Sequence, residues 1–215
     1  MLKVHVFTFN DFMENTIIVW DDESKEAAVI DPGNSNVEED KKLSDLIEQN
    51  NLSVKYLINT HCHIDHILGL NFVKKNFDPV FLAPSEDLEL LKSAEVQGAA
   101  FGMMMNTPPI PDEFIKEDKQ ILLGKINGKF LFTPGHTPGE FCLYFEKEKI
   151  CITGDVLFKE SIGRTDLWGG NYNTLINSIN TKLMILPDDV EIYPGHGEKS
   201  SIGFERKNNP FLQTP

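Results

Sequence analysis

Residues 60–66 read Thr-His-Cys-His-Ile-Asp-His, which puts three imidazoles and a carboxylate into positions 61–66. Side chains of this kind at this density bind metal ions far more readily than they fill a core. The chain has six histidines, and five fall into one pattern: His61, His63 and His66 here, then His136 and His196, each closing a Pro-Gly-His triplet. Asp155, in Gly154-Asp155, adds a second carboxylate to Asp65. A catalytic zinc takes about 3 protein ligands and a water. Seven candidate ligands exceed one such site and suit two divalent cations about 3.5–4 Å apart that share a carboxylate and a hydroxide. Zinc is the first expectation for the metals, with iron or manganese as alternatives.

The elements that must carry these side chains are legible in the same sequence. Tyr56-Leu57-Ile58-Asn59, Phe130-Leu131-Phe132, Ile150-Cys151-Ile152 and Val190-Glu191-Ile192-Tyr193 are short apolar runs rich in β-branched and aromatic residues, and each reads as a buried strand. Every candidate ligand follows one of these runs, so four strand ends are expected to converge on one site. An extended segment alternates its side chains, which aims His61, His63 and Asp65 to one side and Cys62 to the other. Cys62 is therefore read as a buried structural thiol, and His66 as the start of a helix. In Pro-Gly-His, proline ends the ladder and glycine bends the chain, a device that lifts an imidazole off a sheet edge.

The order His-x-His-x-Asp-His at 61–66, then His136, Asp155 and His196, resembles the metallo-β-lactamase superfamily over nearly the whole chain. Within it, Gly154-Asp155-Val156-Leu157-Phe158, Ser161-Ile162-Gly163-Arg164-Thr165-Asp166 and the tail Pro210-Phe211-Leu212 are similar to the short glyoxalase II-like hydrolases. The resemblance implies an α/β (α+β) fold of the αββα sandwich type. It also implies that His61, His63 and His136 hold one metal, that Asp65, His66 and His196 hold the other, and that Asp155 bridges them. Lactamases of the superfamily often carry cysteine where this chain has Asp155, which argues against antibiotic hydrolysis.

The expected reaction is hydrolysis of a thioester such as hydroxyacylglutathione by a metal-bridging hydroxide, with Asp65 orienting that hydroxide or carrying its proton. A thiolate leaving group, with a parent pKa of about 8.5, needs little acid assistance. Arg164 is the candidate substrate contact, because Gly-Arg-Thr-Asp resembles a family segment that meets an acidic thiol and guanidinium grips carboxylates at two points. The alternative for Arg164 is an ion pair with Asp166. Longer glyoxalase II enzymes draw glutathione contacts from a helical extension after the last histidine, which leaves the acyl carrier open. The rival readings are a lactone or ester hydrolase, and a persulfide dioxygenase that shares Gly163-Arg164-Thr165-Asp166 and would hold one iron by His61, His136 and Asp155.

Composition bounds the setting. At 215 residues and 40% hydrophobic content, one domain over 1–215 is expected. A net charge of −13, with Lys41-Lys42 and Lys74-Lys75 as the longest basic runs, disfavours nucleic acid as a partner. No stretch approaches the roughly 18 apolar residues of a spanning helix, and the start lacks a signal-peptide core, so a cytoplasmic protein acting on a small molecule is expected. It would be a monomer or a small homo-oligomer. Three cysteines cannot all pair, and Cys142 and Cys151 sit in apolar runs where reduced thiols behave as small hydrophobes.

Strands are expected at Val4–Phe9, Asn15–Trp20 and Ala27–Ile30. Helices are expected at Glu38–Gln49, after His66 with Leu68, Phe72, Val73 and Phe77 inward, and at Asn173–Leu186, stopped by Pro187. Asn127-Gly128 signals a type I′ hairpin. Residues 98–111, rich in methionine and proline, read either as core filler or as a loop near the substrate.

Overall fold

Apolar runs punctuated by turn residues become strands, and the computed structural model, which describes residues 1–213, gathers them into two compact units. The first unit comprises residues 1–115 with 122–126, and the second residues 116–121 and those from 127 onward.

The first unit is built on β1 (Leu2–Phe9), β2 (Glu14–Asp21), β3 (Glu26–Ile30), α1 (Val37–Gln49), β4 (Ser53–Ile58), α2 (Leu70–Phe77), β5 (Val80–Pro84), α3 (Leu88–Lys92), α4 (Ala94–Ala100) and β6 (Glu113–Ile115). Its sheet runs β1-β2-β3-β4-β5-β6. The first three strands are antiparallel, and β3, β4, β5 and β6 are parallel, so their carboxyl ends share one edge. Strand β2 is buried along its whole length, which is why Ile17-Ile18-Val19 is continuously apolar. Helix α1 starts at Asn36, whose side chain accepts from the amides of Glu38 and Glu39, and Glu38, Glu39 and Asp40 occupy its first turn, where the helix dipole favours acids. Leu43 and Ile47 of α1 and Leu70 and Val73 of α2 bury against Ile18, Val29, Leu57 and Phe81.

The other large sheet has the order β14-β13-β10-β9-β8-β7, from β7 (Gln120–Leu123), β8 (Ile126–Phe132), β9 (Phe141–Phe145), β10 (Ile150–Gly154), β13 (Glu191–Pro194) and β14 (Ser200–Ser201), with β9, β10, β13 and β14 in the second unit. The small hairpin β11 (Leu157–Phe158) and β12 (Ser161–Ile162) precedes α5 (Tyr172–Ser178), and α6 (Ile202–Asn208) follows β14. Strand β9 is antiparallel to both β8 and β10, and β10 is parallel to β13. Strands β8, β10 and β13 therefore point the same way, and their carboxyl ends also share an edge. Leu175, Ile179 and Leu183 pack with Cys142, Cys151 and Ile192 in this unit's core, and all three cysteines of the chain are buried thiols.

The expected strands and α1 appear where the sequence places them, and three local expectations are corrected. His66 closes a 3₁₀ turn, Ile64–His66, and α2 begins at Leu70. The helix expected at Asn173–Leu186 is α5 followed by a π-helical turn, Ile179–Leu183, which keeps Ile179 and Leu183 buried. Asn127-Gly128 is not a turn: it lies inside β8, and the chain turns at Gly124-Lys125, where Gly124 has φ 58°. Gly128 serves packing instead, since a Cβ there would sit 2.7 Å from the Phe145 ring. In residues 98–111, Met105 packs against Gly98 and the core, as the core-filling reading expects, while Met104 is fully exposed. Among the described residues, no helix is long and apolar enough to cross a membrane.

Candidate metal centre

In the first unit the site grows from the carboxyl ends of β3 and β4. Beyond Ile58 the chain leaves the sheet with the Asn59 amide still bonded to the Leu82 carbonyl at 2.9 Å, then winds into the Ile64–His66 turn. The winding brings the rings together: the His61 centroid lies 4.9 Å from His63 and 4.2 Å from His66. His61 and His66 are wholly buried, and His63 is nearly so. Cys62 points the other way into the hydrophobic core, where burial pushes its thiol well up, as expected of a structural residue.

Asp31, just past β3, organises this cluster. Its Oδ1 accepts from the Thr60 amide at 2.7 Å and from Asn59 Nδ2 at 3.3 Å, and its Oδ2 accepts from the Thr60 hydroxyl at 2.6 Å. The Thr60 hydroxyl has a single proton, and that proton goes to Asp31, so Thr60 Oγ1 accepts from His61 Nδ1 at 3.2 Å. The lone pair of a neutral His61 ring is thereby assigned to Nε2. For His66, Nδ1 lies 3.3 Å from Asp31 Oδ2 and 3.9 Å from Glu14 Oε1, while Nε2 lies 3.7 Å from Asp65 Oδ2. Carboxylates behind Nδ1 favour the proton there and leave Nε2 facing Asp65 as the metal-binding nitrogen. Ligand atoms of Asp31, His61 and His66 lie within 4.8 Å of one another, but Asp31 sits on the Nδ1 side of both histidines, the place of an orienting group. Glu14 is fully buried, and burial pushes its carboxyl well above the usual range, with His66 opposing that shift.

In the second unit the ligands stand past β8, β10 and β13, on the shared edge. Gly135 carries φ 138°, and a Cβ there would fall 2.3 Å from the Leu175 amide, so only glycine lets the Pro-Gly-His turn close against α5. His136 Nδ1 lies 2.7 Å from the Arg164 carbonyl, which can only accept, so Nδ1 carries the proton and Nε2 the lone pair. Nε2 is 3.5 Å from Asp155 Oδ2, and His196 Nε2 is 3.6 Å from the same oxygen. The Asp155 amide donates to Glu140 Oε1 at 2.6 Å, and the Gly195 amide donates to the Gly154 carbonyl at 2.8 Å, which fixes both strand ends.

These spacings fit a metal. Ligands about 2.0–2.1 Å from a tetrahedral cation stand roughly 3.3 Å apart, longer than hydrogen bonds and close to the Nε2–Oδ2 separations seen in each unit. The donor set is imidazole nitrogen and carboxylate oxygen, with the protons of His61, His66 and His136 assigned away from the metal-facing nitrogens. That chemistry suits zinc, iron or manganese.

Arg164 presents its fork to Asp166: Nε and Nη2 donate to the two carboxylate oxygens at 2.7 and 2.8 Å. The hydrogen bonds from Arg164 hold the Asp166 carboxyl down at about 2. The ion pair weighed for Arg164 in the sequence is thus formed, and the residue also serves His136 through its backbone. Asp31, Thr60, Glu14 and Glu140 were missed by sequence reasoning. Asp31-Pro32-Gly33 after the apolar Ala27–Ile30 repeats the logic of the Pro-Gly-His ends and could have been found, whereas nothing local marks Glu14 or Glu140.

Comparison with known proteins gives the same answer as the geometry. The family model described as the metallo-beta-lactamase superfamily matches residues 9–196. The hydroxyacylglutathione hydrolase GloC of Haemophilus influenzae is 39% identical over 215 residues, 99% of each chain. Among solved structures, the BLEG-1 B3 metallo-beta-lactamase superposes with TM-score 0.90 at 30% identity, covering 99% of this chain and 100% of that one. TTHA1623 in a di-iron-bound form gives 0.86 at 31%, covering 97% and 100%. The fold is accordingly the mixed α/β metallo-β-lactamase fold, with sheets flanked by helices.

Proposed function

On the premise that the chain belongs to the metallo-β-lactamase superfamily and is a metal-dependent hydrolase, we propose that it hydrolyses thioesters of the hydroxyacylglutathione kind. The observation that carries this reading is the end-to-end 39% identity with a hydroxyacylglutathione hydrolase. The assigned tautomers support its metal dependence. In this reading His61, His63 and His136 hold one divalent cation, Asp65, His66 and His196 hold the second, and Asp155 is shared. Zinc is the first choice for both, and the di-iron form of TTHA1623 keeps iron in view.

The cations would polarise the scissile carbonyl and acidify a water at neutral pH. The protein's own residues prepare that chemistry. Asp31 and Thr60 fix the His61 tautomer, and Asp31 supports His66 in the same way. The Arg164 carbonyl does this for His136, and Glu140 anchors the Asp155 backbone. Asp65, less deeply buried than His66 beside it, would accept the proton released by the attacking water in this reading. A thiolate then leaves without needing an acid. We place the protein in the cytoplasm, as a monomer or small homo-oligomer acting on a small molecule.

A second reading, β-lactam hydrolysis, is favoured by the superposition on BLEG-1, and Asp155 in place of cysteine weighs against it. Metal analysis of protein purified without added metal, with thioester, β-lactam and persulfide-dependent oxygen-uptake assays on the same sample, separates the readings. Two equivalents of metal with thioester turnover are expected. One iron with oxygen uptake would overturn the proposal. Asp155→Ala should lose metal and turnover together, and full retention of both would remove Asp155 from the centre.

A further inference from the structure

We propose that Asp87 and Gln97 form a clamp on Cys62 that positions His61 and His63 for a metal ion. The inference rests on the ligand assignment proposed above and adds two positioning residues to it.

Two rigid peptide planes separate the α-carbons of His61 and His63, and rotating either plane swings one imidazole relative to the other. The first plane carries the Cys62 amide and the second the Cys62 carbonyl. Each is held from outside the stretch. The Cys62 amide donates to Asp87 Oδ2 at 3.2 Å, across 25 positions, and the Cys62 carbonyl accepts from Gln97 Nε2 at 3.4 Å, across 35. The other Nε2 proton of Gln97 goes to the Leu90 carbonyl at 2.7 Å, so the gripping amide is itself tied to α3. Both planes are thus fixed while the Cys62 side chain is anchored in the core, and the two rings keep their 4.9 Å centroid separation.

A purely structural link would not call for Asp87. Its carboxylate is wholly buried, and burying a charge is unfavourable unless hydrogen bonds offset it. Leu90, Leu91 and Ala94 already join α3 and α4 to the apolar cluster that contains Cys62 and Ile64, so packing attaches these helices without a charge. Aspartate at the start of a helix ordinarily caps it with its side chain. Here the Asp87 carbonyl opens α3 by accepting from the Leu91 amide at 3.0 Å, while the side chain turns to the Cys62 amide. A charged acceptor holds an amide more firmly than a neutral one. It also sets negative charge behind a stretch that receives a cation. Asp65 and His66 have their own backbone ties, from Asn10 Nδ2 to the Asp65 carbonyl at 3.1 Å and from Asn59 Nδ2 to the His66 carbonyl at 2.8 Å. The clamp therefore acts on the cation of His61 and His63, and not on that of Asp65 and His66.

The test measures zinc affinity by chelator competition, with the visible spectrum of cobalt-substituted protein as a second readout. Wild type should hold two equivalents. In Asp87→Ala one equivalent should weaken about 10–100-fold while the other is unchanged, and the cobalt bands of the weakened equivalent should shift. Asp87→Asn keeps an acceptor for the Cys62 amide and should recover most of the loss. Gln97→Met frees only the second plane, at a half-buried position, and should weaken the same equivalent severalfold; it carries the test if Asp87→Ala does not fold. Wild-type affinity in Asp87→Ala or in Gln97→Met, or equal weakening of both equivalents, would overturn the inference.

Failure of the function reading is seen separately. Wild type that hydrolyses no thioester, with the selective metal loss present in the variants, defeats the substrate assignment and leaves the clamp standing. A single equivalent in wild type defeats the two-cation assignment. That equivalent should then weaken in Asp87→Ala, and an unchanged affinity overturns the clamp as well. Wild type that binds no metal overturns both.

Discussion

Oδ2 of Asp31 lies 3.3 Å from Nδ1 of His66, on the side of the ring turned away from Asp65. The same oxygen takes the Thr60 proton, so one buried carboxylate orients two histidines, His66 directly and His61 through Thr60. Asp31 has φ 49°, a conformation that asparagine also tolerates, so Asp31→Asn removes the charge while sparing the backbone. Groups of this kind contribute about 10–100-fold to metal affinity. Chelator competition should show a loss of that size, with the far-UV spectrum of the protein unchanged. Wild-type affinity in the variant would mean that Asp31 is a structural residue alone.

What the sequence discloses and what it hides follow from the range of the interactions. His61, His63, Asp65 and His66 are neighbours in the chain, and the strand runs before His136, Asp155 and His196 are local patterns, so these residues could be picked out directly. Asp31 meets Thr60 across 29 positions, and Glu140 meets the Asp155 amide across 15. Both bonds exist only once strands lie beside one another, and no local pattern encodes them. The misread hairpin has the same origin: Asn127-Gly128 is a turn signal in isolation, but glycine is needed there because Phe145 of the neighbouring strand passes close by. The π-helical turn at Ile179–Leu183 likewise answers to core packing, which helical spacing alone does not specify.

Gly163 sits against the centre for steric reasons. A Cβ there would fall 1.8 Å from the Asp155 carbonyl oxygen and 3.2 Å from His136 Cβ. Gly163→Ala must displace the backbone of one candidate ligand. Overpacking of this kind costs about 1–3 kcal/mol, which for a chain of this size lowers Tm by roughly 2–10 °C. Calorimetry of metal-free protein should show that drop, and the metal-loaded form should also retain less metal. An unchanged Tm would show that the β11–β12 segment yields freely.

Arg164 divides its roles between backbone and side chain. Its carbonyl holds His136, and that contact survives Arg164→Ala, so metal content should stay at the wild-type level. Its guanidinium is paired with Asp166 at the surface, an exposed and solvent-screened pair that adds little to folding. If the fork turns from Asp166 to an acidic substrate, KM for glutathione thioesters should rise about tenfold, with kcat little changed, and neutral thioesters should show no such rise. Equal KM for both classes would take the side chain out of substrate binding.

Lys74 and Asp112 supply a prediction about acid stability that does not depend on metal. Lys74 Nζ, on α2, donates to Asp112 Oδ2 at 2.8 Å and to the Pro79 carbonyl at 2.7 Å, and the same Asp112 oxygen accepts from the Phe81 amide at 2.8 Å. The Lys74 hydrogen bond, with the Phe81 amide next, holds the Asp112 carboxyl below its ordinary value. A depressed carboxyl contributes stability that is fully present above the unfolded-state pKa and is lost as pH falls through the folded one. Both side chains are partly exposed, so the pair is worth on the order of 0.5–1 kcal/mol. Asp112→Asn keeps an acceptor for Phe81 and removes the charge. Urea unfolding of the metal-free protein should find the variant less stable by about that amount at pH 7. The gap should narrow below about pH 4, where Asp112 begins to protonate in the unfolded chain. A gap of constant size across that range would show that Asp112 acts through its shape and not its charge.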